Sequence, residues 1–321
     1  PDVAELLRRS RQHKRRDFMQ KYLSPLALRI PLFDPDRWLE RWLPWFRPLF
    51  GFWGAVVWLA VVGSAAVLSV VHWRELSQNL TDQLLLPHNL LILALVFPVV
   101  KLLHELGHAC ATKAWGGEVH DMGVMLLVLM PVPYVDASAS TAFREVSRRA
   151  VVGAAGMLVE LFVASIALFL WLQAEPGVFR AILYNVMVIA GISTVLFNGN
   201  PLLRFDGYYI LSDLLQIPNL RQRGQKYLTH LVETKAFGVR SAGFDAAQEE
   251  RAWLALFTVA SFVYRILVMV GIALFIATQY FIVGILLALF VVATSLVWPV
   301  LKGINFVLTH PKLGRRRGRA V

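Results

Sequence analysis

Six apolar stretches, each about twenty residues or longer, leave this chain of 321 residues few folds to choose from. They run Leu49–Val71, Asn89–Thr112, Ala150–Leu172, Val178–Phe197, Trp253–Ala277 and Tyr280–Leu301. A hydrocarbon core about 30 Å thick takes about 20 helical residues to cross. In lipid every backbone N–H must find its partner within the segment, so such stretches form helices. Core helices of a water-soluble protein would be shorter and would carry a polar face, which these mostly lack. A composition of 57% hydrophobic and 17% charged residues agrees. The expected fold class is an all-α polytopic membrane protein with six transmembrane helices. The fifth and sixth are joined by about two residues, which predicts a tight helical hairpin. Gln173–Gly177 joins the third and fourth almost as closely.

The net charge of +11 is placed unevenly. Residues 1–48 carry eleven Lys and Arg, the loop after the second span four, the loop after the fourth seven, and residues 302–321 at the C-terminal end six. The segment His72–His88 carries only Arg74, and the two short connections carry none. This asymmetry places both termini on the cytoplasmic side. The expected location is a bacterial inner (cytoplasmic) membrane. The basic charge serves topology and lipid contact. Divided among four segments, it does not make a nucleic-acid surface. The one cysteine, Cys110, excludes an internal disulfide framework. No cleavable signal peptide is visible, and the chain starts at Pro1, as a trimmed or partial product would.

Three regions follow: a basic cytoplasmic or interfacial segment (1–48), a six-span membrane domain (49–302) and a basic tail (303–321). In the first, Asp34-Pro35 reads as a helix start. Trp38, Leu39, Trp42 and Leu43 then recur at helical spacing, as in a helix lying in the membrane interface. Val119–Asp136 is apolar but too short to span and is broken by Pro131 and Pro133. It predicts a re-entrant segment, a β-hairpin or a loop dipping into the interface. A strand edge there would hold an extended peptide by strand addition. Ser212–Arg251 is a polar loop, helical in part.

Near the end of the second stretch stands His104-Glu105-Leu106-Gly107-His108. On a helix the i,i+4 spacing puts both imidazoles on one face, one turn apart, where they can share one Zn²⁺. Glu105 then serves as general base toward a zinc-bound water. Ionisable residues inside a membrane are costly and mark function. A catalytic zinc takes three protein ligands plus water. His104 lies about 15 residues into its span, so about 22 Å from the outer face. Depth excludes His72 and His88 as the third ligand. Asp206 and the His120–Asp121 pair lie at the right depth, with Glu160 next. Pro201 breaks the fourth span and lets the chain fold back. Cys110 is off the His104/His108 face and reads as a small apolar residue.

The first motif, followed two spans later by Asn200-Pro201-Leu202-Leu203-Arg204-Phe205-Asp206-Gly207, resembles the site-2 protease family of intramembrane zinc metalloproteases. The resemblance covers about residues 88–213, the three-span core. It implies that His104, His108 and Asp206 bind zinc, one per chain, and that Glu105 is the catalytic base. It implies that Asn200, matching the motif asparagine, lies near the site and contacts substrate. The stretch Gly153-Ala154-Ala155-Gly156 departs from the family's small-residue motif, and its glycines permit close helix approach. No PDZ-like insertion is present. Tyr208-Tyr209 and Ser212-Asp213 look like a bacterial subgroup, some of whose relatives serve peptide export.

The expected function is a zinc metalloendopeptidase that cleaves membrane-embedded or membrane-adjacent peptide bonds. Its partners would be a membrane protein or peptide substrate, the bilayer and an export-type adaptor, with no nucleic acid. A catalytically silent adaptor of an export or efflux assembly is the alternative, although a scaffold need not keep Glu105. A metal transporter is the third, and it would need ligand clusters at several depths. Glu160 is expected to pair with Lys101 or Arg265 inside the bundle. Asp136 reads as a turn cap or as an orienter of a histidine. Phe97-Pro98 is expected to kink the second span, and Arg315-Arg316-Arg317 to contact lipid.

Overall fold

The computed structural model describes residues 27–78, 87–127, 130–235, 247–298 and 301. The basic tail 303–321, residues 1–26 of the N-terminal segment and parts of the loops after the first and fourth spans lie outside the described residues. Two compact units form: residues 1–201 with 205–210, and residues 202–204 with 211–321.

The first unit opens with strand β1 (Ala27–Phe33) and helix α1 (Asp36–Phe46). Helix α2 (Phe52–Val71) and the short α3 (Trp73–Ser77) follow. Helix α4 (Pro87–Ala114) carries the paired histidines and runs on through Pro98. Strands β2 (Met122–Leu127) and β3 (Met130–Val135) come next, then helix α5 (Val146–Gln173). Helix α6 (Val178–Met187) passes directly into π-helical turns at Val188–Asn198. Helix α7 begins at Asp206 and ends at Leu214. In the second unit, α8 (Leu220–Lys235) packs on α9 (Gln248–Gln279), and α10 (Phe281–Val292) returns beside α9.

Among the described residues, five helices are long and apolar enough to cross a membrane: Phe52–Val71, Asn89–Ala114, Val146–Gln173, Val178–Asn198 and Gln248–Thr278. By length and composition they make this an integral membrane protein. The expected sixth span is helical from Phe281 and turns π-helical at Ala293–Val297, but residues 299–300 fall outside the described part. Leu59, Val67, Leu91, Leu95, Leu267, Leu274 and Leu286 are exposed along these helices, a surface suited to hydrocarbon rather than water.

The Pro-broken segment is a β-hairpin, one of the forms expected of it. The third strand was not expected: β1 pairs antiparallel with β2, giving the order β1-β2-β3. Asp136 donates its N–H to the Asp121 carbonyl, so the even-numbered residues of β3 turn their backbone toward β2. Pro131, Pro133 and Val135 therefore turn theirs to the outer edge. The two prolines have no N–H, and Val135 gives its own to Glu105 Oε2 at 3.1 Å. The expected strand addition is thus limited, since a peptide laid along this edge finds acceptors only.

Helix α1 lies against the C-terminal end of α4, the helix that carries the paired histidines. Leu39 is fully buried with Ala109 and Val119, while Trp38, Trp42 and Trp45 stay exposed. The helix starts one residue later than expected. Asp34 takes the Asp36 N–H at 2.9 Å, and Asp36 takes Lys113 Nζ at 2.8 Å and the Val119 N–H at 3.0 Å. Burial works against the Asp36 charge, but Lys113 and that N–H outweigh it and hold its pKa below the ordinary value. Trp58 ties α2 to α5 through the Leu158 carbonyl at 2.8 Å. In the second unit, Arg223 pairs with Glu250 across α8 and α9, and Ser261 donates to the Leu202 carbonyl at 2.7 Å.

Candidate metal centre

Helix α4 delivers His104 and His108 from successive turns, and their Nε2 atoms come within 3.0 Å of each other. Asp206 arrives from the far end of the fourth span. Gly199 donates to the Thr194 carbonyl five residues back, a wide closing turn, and the chain then reverses through Asn200–Phe205 into α7. This places Asp206 Oδ2 at 3.0 Å from His104 Nε2 and 3.5 Å from His108 Nε2. Among the described residues, these three are the only His/Cys/Asp/Glu group arranged to hold a metal ion.

Three observations fit an ion to this point. First, ligands on a tetrahedral Zn²⁺ with bonds near 2.0–2.1 Å lie roughly 3.3 Å apart, close to the separations found. Second, Asp206 Oδ2 is buried without a hydrogen-bond partner, which is costly for an oxygen with nothing else to satisfy it. Third, a Cβ on Gly156 of α5 would stand 2.6 Å from both Nε2 atoms, so only glycine leaves that space open. Burial works against the Asp206 charge, yet the two imidazoles outweigh it and hold its pKa well below the ordinary carboxylate range. The chemistry of the set, two imidazoles and one carboxylate, suits zinc.

The second ring nitrogens face outward. His108 Nδ1 donates to the Val152 carbonyl at 2.7 Å, which leaves Nε2 as the lone-pair side. His104 Nδ1 lies 3.0 Å from Glu160 Oε2, within ion-pair distance although off the line of a well-formed hydrogen bond. Close helix approach makes this possible, because a Cβ on Gly107 would meet the Ala155 carbonyl at 2.8 Å. Gly156→Ala should therefore lower bound zinc by about tenfold or more, while the helix itself gains propensity. Zinc content set beside thermal stability of the metal-free protein checks this.

Glu105 follows His104 on α4 and is held by the Val135 N–H rather than by the other site residues. The other expected candidates stand elsewhere. His120 is exposed between Asp34 at 3.0 Å and Glu118 at 3.2 Å, both of which raise its pKa. Asp121 accepts from the Tyr134 hydroxyl at 2.8 Å. Asp136 caps a turn through the Ser138 N–H at 3.1 Å, the turn-capping alternative of the two expected for it. Asn200 is half-buried in the turn, its N–H on the Phe197 carbonyl at 3.3 Å. Asn198, buried, donates to Glu160 Oε2 at 3.2 Å. Of the two cations offered for Glu160, Lys101 is the one in contact, at 2.7 Å. Sequence reasoning passed over Thr194 and Asn198. A polar pair at i,i+4 in an otherwise apolar span was the signal that could have found them. No family model, curated protein or solved structure matches the chain.

Proposed function

We propose that the chain is an intramembrane zinc metalloendopeptidase of the site-2 protease type. It would sit in a bacterial inner membrane with six spans and both termini cytoplasmic. The observation that carries this reading is the convergence of His104, His108 and Asp206 beside Glu105 on a membrane-spanning helix. His104, His108 and Asp206 would hold the zinc. When bound, it acts as a Lewis acid on the scissile carbonyl and lowers the pKa of a coordinated water.

The remaining work belongs to the chain. Glu105 takes the proton of the attacking water and later returns it to the leaving amine nitrogen. The Val135 N–H holds Oε2 of that carboxylate, fixing its direction. The outer edge of β3, with the carbonyls of Pro131 and Pro133 and no donor, would accept N–H groups of an extended substrate. A substrate helix must unwind first, because its carbonyls are otherwise closed in hydrogen bonds.

The test is cleavage of a mixed set of synthetic membrane-spanning peptides by the protein reconstituted in lipid, with products identified by mass spectrometry. New peptide termini that vanish with a zinc chelator and return on adding Zn²⁺ support the reading. Termini unaffected by chelation, or absent although the protein is folded and zinc-loaded, overturn it.

A further inference from the structure

Glu160 sits fully buried in the middle of α5, with three donors hydrogen-bonded to its two oxygens and a fourth close by. Lys101 Nζ donates to Oε1 at 2.7 Å. Oε2 takes the Thr194 hydroxyl, Asn198 Nδ2 at 3.2 Å and the near approach of His104 Nδ1 at 3.0 Å. The donors come from two other helical segments, α4 and the π-helical turns after α6. A buried carboxylate held so fully is a fixed object, and a fixed object can orient what touches it.

We propose that Glu160 is a positioning residue for His104, holding its Nδ1–H and so directing Nε2 to the zinc. The inference rests on the metal reading given above. It does not make Glu160 a ligand. Nδ1 and Nε2 stand on different sides of the imidazole ring, so the carboxylate that meets Nδ1 is not the one that meets the ion. Both zinc histidines then follow one rule: each turns Nδ1 to an oxygen of α5, His108 in a hydrogen bond to the Val152 carbonyl and His104 at 3.0 Å from Glu160 Oε2. The two oxygens differ in charge. An anionic acceptor makes the imidazole a stronger donor to metal than a neutral carbonyl does. Lys101, Thr194 and Asn198 hold the carboxylate in place, and Lys101 offsets its charge in the apolar bundle.

An amide cannot replace this carboxylate. One edge of Glu160 meets an ammonium and the other meets three donors, so the NH₂ of Gln would face a donor either way round. Glu160→Gln should weaken zinc binding about 10- to 100-fold. Because this variant also disturbs the buried ion pair, the Lys101→Met/Glu160→Met double variant is made beside it. With both charges gone the two apolar side chains pack without a stranded charge, and no acceptor is left at position 160 for His104 Nδ1. Three readouts are taken on each protein: zinc affinity by competition with a chromogenic chelator, the visible spectrum of the Co²⁺ form, and the Tm of the metal-free form.

The double variant is expected to recover the metal-free Tm while keeping the weakened affinity and an altered Co²⁺ spectrum. It carries the test if the single variant does not fold. Wild-type affinity and spectrum in the double variant would overturn the proposal and leave Glu160 a purely structural ion-pair partner. Failure of the wild type itself to bind zinc is a different result, and it overturns the metal reading on which the proposal stands.

Discussion

Protein purified in detergent and washed with a weak chelator should hold about one zinc per chain, and Asp206→Ala should hold less than about a tenth of that. The difference follows from the geometry. His104 and His108 alone are two neighbouring imidazoles on one helix, a common and weak metal clip. Asp206 closes the set from a separate segment, at 3.0 and 3.5 Å from the two Nε2 atoms, and brings its only negative charge. Losing it removes a ligand and leaves a dication beside neutral nitrogens in a buried space. Zinc should therefore raise the thermal stability of the wild type clearly more than that of the variant. Elemental analysis paired with thermal unfolding reads both effects. Zinc retained by Asp206→Ala would move the third ligand away from α7. No zinc in folded, supplemented wild type would remove the metal altogether.

The parts of this centre that could be read beforehand are those that depend on local spacing. The His104/His108 pair needs only the helical period, and Glu105 comes with it. Asp206 is harder, because it is about a hundred residues away in sequence. It entered through the Pro201 break, which lets the fourth span end and the chain fold back, and through the paired motif. Rise along a helix gave depths but not faces. It therefore ranked His120 and Asp121 with Asp206, whereas both are held elsewhere, by Asp34 and Tyr134. It ranked Glu160 as a lesser ligand, whereas Glu160 meets the far nitrogen of His104. Which side of a ring a carboxylate meets depends on how two helices rotate against each other, and no periodicity within one helix records that.

Gly156 shows the same limit. Its place in a small-residue stretch signalled close helix approach, and the approach is real. What it approaches is the shared point of two imidazoles, not merely another backbone. Strand β1 was illegible for a different reason. Ala27–Phe33 sits in a basic segment with two prolines nearby, and its partner β2 comes about ninety residues later. Such pairing is decided by where α1 anchors, through Leu39, Asp36 and Lys113, rather than by the strand's own residues.

Glu105→Gln should lose peptide cleavage by about 10²- to 10⁴-fold and keep its zinc. The two halves of this expectation come from different contacts. Glu105 is adjacent to His104 in sequence but does not join the three-residue ligand group, so the amide does not disturb it. The contact it does make is with the Val135 N–H, and a Gln carbonyl oxygen can accept that bond as well as a carboxylate can. Fold, zinc content and the β3 edge should all survive. What the amide cannot do is take a proton from water at neutral pH and return it to a leaving amine. The substitution also separates the enzyme from the adaptor reading. A scaffold that recruits partners through its surface would support the same cellular phenotype with Gln at this position, at unchanged protein level. Cleavage and phenotype lost together, with one zinc still bound, would tie function to proton transfer by this carboxylate. Cleavage within about tenfold of wild type would place the base on another group.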